Sequence, residues 1–95
     1  MNKETLQALA ETLKSIGHPE RIAIMNLICN AKGQRMTVKH IYEALGMHQP
    51  IVSRHLGILK RCGILERETQ GANTLYRLNK HNQFVTQLNK CLCSK

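Results

Sequence analysis

Fourteen lysines and arginines against six glutamates and no aspartate give this 95-residue chain a formal charge of +8 and a pI near 9.7. That length makes one domain, and 42% apolar residues with 3% aromatics leave Leu, Ile, Val, Ala and Met to fill its core, which suits a small helical protein better than a β-sandwich. No apolar run exceeds a few residues and the opening "MNKETLQALAE" shows no apolar signal core, so no membrane span or secretory leader is expected and a cytoplasmic chain is.

In "KETLQALAETLKSIG", Leu6, Leu9, Leu13 and Ile16 recur at helical spacing, predicting an amphipathic helix that Gly17 ends. "HPERIAIMNLICN" predicts a second helix with Pro19 in its first turn, where a missing N–H costs nothing. It is apolar almost all round and is expected at the buried centre. "NAKGQR" reads as a loop. Thr37 is placed to cap a short third helix, "VKHIYEAL", and Gly46 to end it in a left-handed turn. A fourth helix follows from about Gln49 to Cys62, and Gly63 stops it. The apolar period then changes to that of a strand: "ILERETQ" and "NTLYRLN" predict a hairpin around "QGAN". "HNQFVTQLNKCLC" is a last helix with Phe84, Val85, Leu88 and Leu92 on one side.

The order ααααββα predicts a mainly α protein, a winged helix-turn-helix in one domain. The helix-turn-helix covers about residues 38–62, the wing about 64–79 and the terminal helices about 3–16 and 81–93. The terminal helices carry apolar stripes that so small a chain cannot easily cover, so they are expected to form a homodimer interface. Two-fold symmetry predicts a palindromic operator, with recognition helices roughly 34–36 Å apart.

Charge placement agrees with a nucleic-acid partner. No acid occurs from Ala44 to Leu65, and none after Glu68. Such a surface favours a polyanion, because each neutralised phosphate releases condensed counterions. With Val52 at zero on a helix advancing about 100° per residue, Leu56 and Leu59 fall within about 40° of it and form a core face. Gln49, Ser53, Arg54, Gly57, Lys60 and Arg61 cover the face from roughly 60° to 200°. Arg suits guanine and Gln suits adenine, while Ser and Lys suit phosphates. The expected DNA contacts are Gln49, Ser53, Arg54, Lys60 and Arg61, with His55 and the wing residues Arg67, Gln70 and Asn73. Gly57, which costs about 1 kcal/mol relative to alanine inside a helix, either lets the helix approach DNA closely or occupies a tolerant position.

His48, His55 and Cys62 recur every seven residues on a separate shoulder of that helix. Seven residues span about 10.5 Å, whereas zinc needs its ligands within about 2.0–2.3 Å, so no two of them share an ion. No metal site or cofactor is expected. The four cysteines show no C-x-x-C pair, and no catalytic triad, carboxylate pair or phosphate loop is visible, so no enzyme is expected.

"LKSIGHPERIAIMNLI", "IYEALGMHQPIVSRHLGILKRCGIL" and "TLYRLN" together resemble the ArsR/SmtB family of bacterial winged-helix repressors over about Leu13 to Asn79. The second segment is similar to the family pattern "L...L..SQP.VS.HL..L...GLV". The resemblance implies a homodimeric repressor released from its operator by an inducer, often a metal ion or a thiol-reactive species. Where arsenic and cadmium sensors carry "ELCVCDL", this chain has "RMTVKHI", with Thr37 and Lys39 in place of the cysteines. Lys80 and Asn82 stand where the zinc sensors' first pair would be. A cadmium and lead subgroup is matched only at Cys62, with Ile58 in place of its other helix cysteine. A persulfide- and oxidant-sensing subgroup pairs a second-helix cysteine with one on the last helix. Here Asn26 takes the first place, and Cys29 one turn on, with Cys91 or Cys93, is the thiol-sensor candidate. The expected function is a DNA-binding transcriptional regulator with the inducer unknown; the alternative is a winged helix used for protein–protein contact.

Overall fold

A computed structural model describes residues 2–92, with side chains through residue 90. Its elements are α1 (Lys3–Ile16), α2 (Pro19–Cys29), a 3-10 turn (Lys32–Gln34), β1 (Arg35–Thr37), α3 (Val38–Leu45), α4 (Gln49–Arg61), β2 (Leu65–Gln70), β3 (Asn73–Leu78) and α5 (Gln83–Leu92). This is a winged helix-turn-helix, mainly helical. None of the described helices is long and apolar enough to cross a membrane.

Local chemistry sets the boundaries. The Asn2 side chain accepts from the Thr5 amide at 2.7 Å and opens α1. Thr37 accepts from the His40 amide at 3.1 Å and opens α3, while Gly46, at φ 64°, closes it in the left-handed region open to glycine. The hairpin pairs Gln70 with Asn73 across Gly71 and Ala72. The last helix begins at Gln83, later than the sequence pattern implies. Asn82 Oδ1 accepts from the amides of Phe84 and Val85 at 2.9 and 3.2 Å and so serves as its N-cap.

"NAKGQR" is not simply a loop. It contains the 3-10 turn, and Arg35 opens β1, which pairs antiparallel with β3 to give a three-stranded sheet of order β1-β3-β2. The core gathers around α2. Ile24, Met25 and Ile28 are buried there with Ile41 of α3, Val52, Leu56 and Leu59 of α4, Ile64, Leu65 and Leu78 at the sheet, and Val85 of α5. The predicted core face of α4 is thus fully buried, which fixes the orientation of its opposite face. No residue of α1 is buried, and Leu6 and Leu13 are 54% and 49% exposed.

Candidate nucleic-acid interface

Gln49, Ser53 and Gly57 lie four residues apart and form one row along α4. Across from them stand Arg67, Asn73, Thr74 and Tyr76 of the wing, with Thr37, Val38 and Lys39 at the start of α3 closing the end. Together they line an open groove of about 530 Å³ whose lining contains no carboxylate. Its chemistry is amide, hydroxyl, ammonium and guanidinium.

Neither wing acid lines this groove. Successive strand residues point to opposite faces of a sheet, so Arg67 lines the groove while its neighbours Glu66 and Glu68 engage the other side. There Arg35 pairs with Glu68 at 3.0 Å, and Arg77 pairs with Glu66 at 3.2 Å and Glu68 at 3.5 Å. Exposed pairs of this kind contribute about 0–1 kcal/mol each. Their larger consequence is that two arginines absorb both wing acids. Lys39, Arg54, Lys60, Arg61 and Arg67 have no ion pair among the described residues.

Of the residues singled out in the sequence, Gln49, Ser53, Arg67 and Asn73 share this groove. Arg54 and Arg61 are exposed on α4 outside its lining, and Gln70 is exposed at the wing turn. Lys60 and Arg67 border a second depression of about 390 Å³ at the end of α4, which Glu66 also lines. Thr37, Lys39, Thr74 and Tyr76 were not anticipated as groove residues. The available signal was the position of Lys39 in the first turn of α3, since the first helix of a helix-turn-helix crosses the DNA backbone.

Gly57 ends the row on α4 that lines the groove, and a Cβ built there would meet nothing within 4 Å. Gly57→Ala is therefore expected to raise stability by about 0.5–1 kcal/mol in thermal unfolding. If DNA affinity falls while stability rises, the glycine serves close approach; unchanged affinity makes it a tolerant position.

His55 is turned away from the groove. Its Nδ1 accepts a hydrogen bond from Arg21 Nε at 3.0 Å. Partial burial, then the Arg21 charge, with smaller contributions from His18 and Arg54, pushes its pKa below the ordinary value, while Glu20 acts in the opposite direction. Cys62, a free thiol, lies with its Sγ 2.8 Å from Ser15 Oγ. The shoulder carrying these two residues packs on α1 and α2. No group of three metal-ligating residues exists among the described residues.

Cys29, the last residue of α2, is 4% exposed and disulfide-bonded. Its Sγ lies 3.3 Å from Asn89 Oδ1 on α5. The side chain of Cys91, and Cys93 altogether, lie outside the described residues.

The transcriptional repressor SmtB of Mycobacterium tuberculosis is 38% identical over 80 residues, covering 84% of this chain; the chain spans 57% of that relative's length. The transcriptional repressor PagR of Bacillus anthracis superposes with a TM-score of 0.80 at 32% identity, over 96% of this chain and 99% of that one. A homodimeric winged helix-turn-helix DNA-binding domain from Mycobacterium bovis gives a TM-score of 0.80 at 25% identity, over 94% of this chain and 78% of that one. SmtB and PagR are both named as transcriptional repressors. The family model described as "Bacterial regulatory protein, arsR family" matches residues 18–67, so the chain belongs to the ArsR family.

Proposed function

We propose that this protein is a homodimeric transcriptional repressor of the cytoplasm that binds a palindromic DNA operator through α4 and the wing. The observation that carries this reading is the acid-free groove in which Gln49, Ser53, Lys39, Arg67 and Asn73 converge. Gln49 and Arg54 are suited to base edges, and Lys39, Ser53, Lys60, Arg61 and Arg67 to phosphates. Gln70 and Asn73 would place the wing along the backbone. The uncovered Leu6 and Leu13 stripe of α1 supports pairing with a second copy, as does the homodimeric Mycobacterium bovis neighbour.

The inducer reading is a thiol-reactive species acting on Cys29 with Cys91 or Cys93. The disulfide at Cys29 and the passage of α5 beside it support this reading.

Fluorescence anisotropy on random DNA and on a duplex selected from a random pool tests the DNA reading. Affinity for both is expected to fall with salt, log K against log [salt] having a slope of about −0.9 per phosphate neutralised, with the selected duplex bound more tightly throughout. Salt-independent or absent binding would instead make the domain a protein–protein module.

A further inference from the structure

The geometry points to Arg21 as a positioning residue for the recognition helix: its guanidinium fastens α4 to the end of α1 through His55, and only while His55 is uncharged. This rests on the reading of α4 as the DNA-contacting helix.

Arg21, on α2, donates in two directions. Its Nε meets His55 Nδ1 at 3.0 Å, and its Nη1 meets the Ser15 carbonyl oxygen at 2.8 Å. Three helices therefore join at one guanidinium. Two turns further along α4, the Ser15 hydroxyl meets Cys62 Sγ at 2.8 Å, a second tie between the same residue of α1 and the same shoulder of α4. The regular spacing of His55 and Cys62 thus corresponds to a rail on which the end of α1 is seated. The helix that offers its apolar stripe to a second copy is held against the helix that offers its polar row to DNA.

The fastening has a protonation requirement. Arginine has donors only and keeps its charge, so the imidazole must present Nδ1 as an acceptor and carry its single proton on Nε2. A second proton would set donor against donor and place two cations at hydrogen-bond distance. The groups acting on His55 are Arg21, Glu20 and His18 from the start of α2 and Arg54 from α4, with the Ser15 carbonyl and hydroxyl facing the seam from α1. Apart from Glu20, these charged groups oppose protonation, as does partial burial.

The sign separates this residue from an ordinary surface histidine. Protonating a histidine at a DNA face adds a cation and tightens binding. Protonating His55 releases α4 from α1 and weakens binding.

Two measurements test this. NMR titration of the His55 ring is expected to show a pKa below about 6.5 in the wild type, rising in Arg21→Gln. Anisotropy on the selected duplex is then compared at about pH 7.5 and about pH 5.5 for the wild type and for His55→Gln, whose side-chain oxygen still accepts from Arg21 but cannot be charged. The wild type is expected to lose about tenfold more affinity on acidification than His55→Gln, the order of one charge-assisted hydrogen bond. A ring that titrates at or above the ordinary value, or equal acid sensitivity in the two proteins, overturns the proposal. If no duplex is enriched, the repressor reading fails, while the ring titration alone still decides whether the fastening exists.

Discussion

Ser53→Glu is expected to abolish operator binding while leaving the fold intact. Ser53 is exposed in the middle of the groove row between Gln49 and Gly57, and no side chain depends on it for a hydrogen bond among the described residues. Glutamate is an equal or better helix former than serine, and the second turn of a helix tolerates a negative charge near its positive end. Folding stability should therefore hold or rise slightly. DNA binding meets the opposite condition. A carboxylate facing phosphates is a like-charge juxtaposition costing several kcal/mol, or on the order of a hundredfold or more in affinity. In a two-fold dimer it appears in both half-sites. Ser53→Ala separates charge from contact, because losing one neutral hydrogen bond costs only about 0.5–1.5 kcal/mol. Anisotropy on the selected duplex, with circular dichroism melts alongside, gives both quantities. Retention of affinity within about threefold in Ser53→Glu would remove this row from the interface.

Why that row could be found without coordinates, and other parts could not, follows from the range of the interactions involved. Helix faces are local. Val52, Leu56 and Leu59 announce the buried side of α4 by spacing alone, and their burial turns Gln49 and Ser53 outward. Caps and turns are local too, as Thr37, Gly46 and the Gly71–Ala72 turn illustrate. β1 is different: three residues are too few to display an alternation, and Arg35, Met36 and Thr37 become a strand only because β3, far downstream, supplies the pairing. The groove likewise needs tertiary placement to bring Lys39 and Arg67 to the same space as Gln49. Counting charges along the chain also overstated the wing, since Arg77 is occupied by Glu66 and Glu68. His55 read as a DNA-facing candidate because its partner, Arg21, belongs to another helix. Even so, the shoulder that geometry rejected as a metal ladder is a real feature of the surface. Two of its residues, His55 and Cys62, face Arg21 of α2 and Ser15 of α1.

The second large effect expected is redox control of binding through Cys29. In the cytoplasmic location proposed for this protein a disulfide is ordinarily transient and regulatory rather than a structural staple, and Cys29 occupies a sensitive place for one. It ends the central helix, is nearly buried, and stands against α5 at Asn89. Hydrogen peroxide is a simple probe: two thiols give up two protons and two electrons to form the S–S bond, and the peroxide leaves as two waters. Joining the end of α2 to the last helix favours one arrangement of the terminal helices, and any difference in DNA affinity between the joined and open states is a coupling free energy. Such couplings are typically worth 5–150-fold, so reduced and oxidised protein are expected to differ in operator affinity by about tenfold or more. Cys29→Ser should remove the response and leave the affinity of the reduced protein unchanged, because the substitution is small and lies outside the groove. Only one of the single replacements Cys91→Ser and Cys93→Ser should match it, because one disulfide to Cys29 uses one partner thiol. Peptide mapping of the oxidised protein identifies which. A peroxide-treated protein with no peptide linking Cys29 to the tail, and with unchanged operator affinity, would remove thiol sensing and leave Cys29 as a packing residue of α2.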